Sequence, residues 1–228
     1  MSFTYYRRRR TGVLRSRAAL HGFTAIEILI ATALLTLMFS SMALVSKTSQ
    51  RAFVHNTAAG AVELRAGAAL RTITTELEQA ASSHLYPDPV AGVGASEVFY
   101  REATGFNGND VIYSDERSLR FELDPGETND GTDEDGDGLI DEGQIVLVVR
   151  VGLAAESQRV ITRGVAEFAE GELPNGVDDN GDGLVDEPGF VLERRNGAID
   201  VRLTLAQAVT GWNEVVVRTA RTSVIVRN

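Results

Sequence analysis

The chain has 228 residues, is 43% hydrophobic and carries a formal charge of −10, enough length for one globular domain of ordinary size. That balance excludes a disordered chain, and the absence of cysteine excludes a disulfide scaffold while leaving the compartment open. The charge is unevenly spread: residues 1–22 hold six arginines (Arg7, Arg8, Arg9, Arg10, Arg15 and Arg17) and no acid, so a basic leader precedes an acidic body.

Residues 23–45 carry one charge, Glu27, and as a helix would run about 34 Å, which suits the roughly 30 Å of a bilayer core. The arginines before this span predict a cytoplasmic N-terminus, with the rest of the chain sent outward. A secretory signal peptide is the alternative, against which stand the length of the apolar run and the lack of a small-x-small site at its far end. A carboxylate in hydrocarbon is costly, so Glu27 either finds a partner or snorkels to water from the cytoplasmic end.

Gly22-Phe23-Thr24-Ala25-Ile26-Glu27, behind a basic leader and ahead of an apolar helix, resembles the cleavage and methylation signal of type IV pilins and type II secretion pseudopilins. The resemblance implies a prepilin peptidase that cuts between Gly22 and Phe23 and methylates the new amine. It also implies that Glu27, the fifth mature residue, meets the amine of a neighbouring subunit and fixes register as a filament grows. Ala25 departs from the leucine more common in that family. The partners implied are prepilin peptidase, other minor and major pilin or pseudopilin subunits, and the inner membrane, with the C-terminal body periplasmic and later in a periplasmic or extracellular filament.

From Phe23 to about Ser83 there is no proline, and alanine, leucine, arginine and glutamate dominate, which predicts one long helix ended by Pro87 and Pro89. Its second half, within residues 46–86, turns amphipathic: Leu70, Ile73, Leu77 and Ala80 form a stripe that should pack on a sheet. Gly60 and Gly67 permit close helix approach or are simply small residues on a packed face. Residues 87–228 then read as a β-rich head. Strands are predicted at 98–101, 111–113, 118–123, 145–151, 160–168, 190–193, 199–205 and 215–226, several alternating as a one-side-covered sheet does. The fold class expected is α+β, pilin-like, a long N-terminal helix packed on an antiparallel sheet.

Two acidic loops, within 127–143 and 172–189, interrupt these strands and match position for position at a constant offset, Asp133 with Asp178 and Glu142 with Glu187. Oxygen ligands at positions 1, 3, 5 and 9 with glycine at 6 are the pattern of an EF-hand-type calcium loop. Asp133, Asp135, Asp137 and Asp141 fill it in the first loop and Asp178, Asn180, Asp182 and Asp186 in the second, with the carbonyls of Leu139 and Leu184 at position 7. At position 12 stand Gln144 and Gly189, so the loops look more like those of dockerins or thrombospondin type 3 repeats. Glu142 and Glu187, or Asp130 and Asn175 upstream, would complete the shells. Segments 127–142 and 172–187 hold eight and six acids and no base, a density that calls for cations; solvated acidic turns are the alternative reading. Two structural Ca2+ ions of modest affinity, about 10⁻⁴ to 10⁻³ M, are expected. They would hold two long connections rigid.

Val160–Phe168, Ile199–Leu205, the closing Ser223–Asn228 and the half-helix Ala69–Ala80 resemble J-type minor pseudopilins and the related W-type minor pilins. That resemblance implies a minor subunit that initiates or caps a filament. A tip adhesin or a DNA-uptake pilin is the alternative, although an acidic head lacks the basic stripe that phosphate contacts need, so no nucleic acid is expected. No enzyme is expected either: His21, His55 and His84 have no partner set for a nucleophile or zinc.

Overall fold

The computed structural model describes residues 22–90, 93–181 and 183–226, so the basic leader lies outside the described residues except for Gly22. The chain divides into two compact units, Met1–Thr48 and Ser49–Asn228.

Helix α1 covers Ala25–Gln79. It opens on a capping box: Glu27 Oε2 accepts the Thr24 N–H at 2.8 Å and the Thr24 hydroxyl at 2.9 Å, while the Glu27 N–H donates to Thr24 Oγ1 at 3.3 Å. The apolar residues of the first unit are exposed, from Phe23 through Val45. Its polar residues are turned onto the helix itself, since the hydroxyls of Thr32, Thr36, Ser40 and Ser41 donate to carbonyls three or four residues back. A helix so finished has the length and composition to cross a bilayer, a test that a signal sequence also passes.

In the second unit the predicted stripe is buried: Leu70, Ile73, Leu77 and Ala80 all face the core, and it continues upstream through Ala58, Val62 and Ala66. Gly60 and Gly67 approach nothing, because a Cβ added at either would meet open space. The helix ends earlier than the prolines predict. Ala80 bridges Glu102 and the Ala81 N–H donates to the Arg101 carbonyl at 2.8 Å, so pairing with a sheet edge takes the backbone out of the helix well before Pro87. A short 3₁₀ turn, Ser82–His84, follows.

Nine strands are present among the described residues: β1 Glu97–Tyr100, β2 Ala103–Asn107, β3 Asp110–Tyr113, β4 Arg117–Leu123, β5 Gly143–Val149, β6 Ser157–Val165, β7 Phe190–Arg195, β8 Ala198–Ala208 and β9 Val215–Val224. The eight predicted from sequence are all found, with shifted ends. The ninth, β2, reads Ala-Thr-Gly-Phe-Asn and has little strand character. Its signal lay in the turn: Gly108-Asn109 is the two-residue hairpin loop, with Gly108 at φ +67°, and β2 and β3 form a separate two-stranded sheet around it.

The main sheet is antiparallel, ordered β1-β4-β5-β6-β8-β7, with β9 also on β8. Strand β8 pairs with β9 along its length, Ile199 to Ala208, and shares its other edge between β7 and the end of β6. Ile73, Leu77, Tyr100, Leu119, Ile145, Phe190, Leu203 and Leu205 meet in one core between the helix stripe and the sheet. A half-buried polar cluster fastens the helix to β1 and β4: Glu76 accepts from the Tyr100 hydroxyl at 3.0 Å and from Arg117 at 2.9 Å, and Arg117 also lies 2.7 Å from Glu102. The observed α+β layout, a long N-terminal helix followed by an antiparallel sheet, is the one the sequence predicts.

Candidate metal centre

The first acidic loop is a hairpin connection. Strands β4 and β5 pair up to Leu123 opposite Gly143, and the nineteen residues 124–142 project from that base. Gly143 is forced there by space, since a Cβ would lie 2.3 Å from the Glu122 carbonyl and 2.4 Å from the Phe121 ring. The second loop joins β6 to β7 and is closed by a bridge between Phe168 and Pro188. Gly189 stands at its foot, where a Cβ would fall 1.9 Å from the Ala166 carbonyl.

Above those bases the two loops share a scaffold. The position-1 aspartate gathers two backbone N–H groups: Asp133 accepts from Gly136 at 2.7 Å and Gly138 at 3.0 Å, and Asp178 from Gly181 at 2.6 Å and Gly183 at 3.0 Å. The position-9 aspartate gathers two more. Asp141 accepts from Asp130 at 3.0 Å and Gly131 at 2.8 Å, and Asp186 from Asn175 at 3.0 Å and Gly176 at 2.8 Å. Both position-9 residues take a left-handed backbone, φ 50° and φ 49°, which aspartate tolerates better than most side chains. The aliphatic residues at position 7, Leu139 and Leu184, bury their side chains and pin each loop to the head.

Within the first loop, carboxylates converge in two groups, one of Glu127, Asp135 and Glu142 and one of Asp133, Asp135 and Asp137; in each, ligand oxygens lie within 4.8 Å of one another. Asp135 belongs to both. The first group is the more demanding. Glu142 is 1% exposed and neither of its oxygens has a hydrogen-bond partner among the described residues. Glu127 is 7% exposed, accepts the Asp135 N–H at Oε1 at 3.1 Å and leaves Oε2 without a partner among the described residues. Burial, and then the charges of Asp137, Glu127 and Asp135, push the Glu142 carboxyl up to about 7. A buried carboxylate facing only other carboxylates is costly unless it is protonated or meets a cation. These orphaned oxygens therefore fit a metal ion, and an all-oxygen set fits a hard divalent one.

Of the predicted ligands, Asp133, Asp135 and Asp137 are brought together, and Glu142 rather than Asp130 points into the cluster. Asp130 instead takes the Thr132 N–H at 3.1 Å and its hydroxyl at 2.6 Å. Asp141 is spent on the backbone N–H groups named above. In the second loop Asp182 lies outside the described residues; Asp178 and Asp186 hold the backbone as their counterparts do, while the Asn180 side-chain amide donates to Glu187 at 2.9 Å. Sequence reasoning missed Glu127 and its counterpart Glu172, although both stand six residues before the position-1 aspartate and both follow a glycine, Gly126 and Gly171.

Gly22 and Phe23 lie outside regular secondary structure just ahead of the helix, and Glu27 caps it. No protein-family model, curated protein or solved structure matches the chain.

Proposed function

We propose that the chain is a minor pilin-like subunit, made as a prepilin, held in the inner membrane by residues 23–45, cleaved after Gly22 and built into a type II secretion pseudopilus or type IV pilus, whose growth it initiates or caps. The observation that carries this reading is the run Gly22–Glu27 between a basic leader and one helix of 55 residues. A peptidase needs an accessible, non-helical peptide, and the Gly22–Phe23 bond precedes the helix cap at Thr24. An antiparallel head behind such a helix suits the same assignment.

In this reading the acidic loops are structural calcium sites, supported by ligand spacing and by the unpartnered oxygens of Glu142 and Glu127. The role proposed is assembly rather than catalysis. Prepilin peptidase and other pilin-type subunits are the partners proposed.

Mass spectrometry of the mature protein tests the assignment: the expected N-terminus is a methylated Phe23. Replacing Gly22 with a bulky residue should leave an unprocessed protein absent from filaments, and normal processing and assembly of that variant would refute the proposal.

A further inference from the structure

The two loops share a sequence pattern and a backbone scaffold, but their buried carboxylates meet different neighbours. In the first loop Glu142 and Glu127 Oε2 face one another's charge and that of Asp135. In the second loop both oxygens of Glu172 are taken, by the N–H groups of Asn180 at 2.8 Å and Asp186 at 3.2 Å. Glu187 accepts from the Asn180 side-chain amide at 2.9 Å and lies 3.8 Å from the Arg202 guanidinium. Asn180 replaces Asp135, which removes one negative charge and supplies a donor.

Arg202 is not a passing neighbour. It is 8% exposed on the central strand β8, and a second contact, 3.3 Å to the buried Glu193, holds its guanidinium in place. The second loop thus carries a fixed positive charge against the carboxylate whose counterpart in the first loop, Glu142, has no ion pair among the described residues. Opposite charge at short range inside a protein competes directly with a bound ion.

We propose that the two loops are unequal: the first is a dedicated divalent-cation site with Glu127, Asp135 and Glu142 as its inner ligands, whereas in the second Arg202 occupies part of the electrostatic role of the metal, so that calcium binds there far more weakly. The proposal rests on the calcium reading above and adds a ranking that the sequence pattern does not contain.

The test is a calorimetric titration of metal-stripped, full-length protein in detergent with calcium alone, for the wild type and for E142Q, E187Q and R202Q. Far-UV circular dichroism accompanies each variant. The wild type should show one tight event, with any second event at least about tenfold weaker. E142Q should weaken the tight event by about tenfold or more, E187Q should leave it unchanged, and R202Q should strengthen the weak one. Two wild-type events of equal affinity, or an E187Q loss as large as that of E142Q, would overturn the ranking and leave the calcium reading standing. No calcium heat in the wild type would remove the calcium reading and the ranking together. The isosteric E142Q and E187Q pair decides the matter even if R202Q fails to fold.

Discussion

Glu142 is the residue on which the metal-free protein pays most for its own sequence. Its carboxyl, ordinarily near 4.5, is pushed up to about 7 by burial and by Asp137, Glu127 and Asp135. The folded state therefore holds that proton more tightly than the unfolded chain does. Without metal, Glu142 contributes most to stability below about pH 4.5, and the contribution is lost as pH rises to about 7. Thermal melts of metal-stripped protein across that window should show a falling Tm, and E142Q should flatten the fall. At neutral pH the same substitution should raise the Tm of the metal-free protein while weakening calcium binding. At this scale the sequence showed much: the spacing of Asp133, Asp135 and Asp137 was readable because ligand spacing is local. Contacts between distant strands are not local, which is why Arg202 was invisible, whereas Glu127 lies in the loop itself and was missed because it precedes the ligand pattern.

At the level of elements, the helix stripe and the sheet define what holds the head. Ile73 is fully buried among Leu77, Tyr100 and Leu203, so Ile73→Ala should cost about 3 kcal/mol, measured by chemical denaturation. The cluster around Glu76 is a second fastening. Arg117→Met would leave Glu76 and Glu102 without their shared guanidinium and should cost about 2–3 kcal/mol, less than a wholly buried pair because Arg117 keeps some solvent contact. Periodicity revealed the stripe correctly, since a 3.6-residue repeat is a property of the segment itself. It misplaced the helix end, because what stops the helix is Ala81 donating to Arg101, a partner twenty residues on. Strand β2 escaped for the opposite reason: its composition is weak, and the turn at Gly108-Asn109 makes the hairpin.

For the molecule as a whole, the proposed calcium sites would make stability a function of the medium. If the first site is filled at a hundredfold excess over its Kd, the head gains about 2.7 kcal/mol. For a domain of this size that corresponds to a rise in Tm of roughly 5–10 °C, which a melt with and without calcium would reveal. Assembly is tested separately through Glu27. E27Q keeps an oxygen acceptor for Thr24 and so preserves the helix cap, but removes the charge; the expected result is a processed protein that fails to enter filaments, read by fractionation and mass spectrometry.

The common scaffold of the two loops separates shape from cargo. Asp133 with Asp141, and Asp178 with Asp186, hold each turn through backbone N–H groups without calling on Glu142 or Glu187. Such a loop is a chassis whose passenger can be exchanged. One copy can keep a seat for an ion drawn from outside while its sibling seats an arginine of its own, and a lineage can move from one state to the other by point substitution without redrawing the path of the chain.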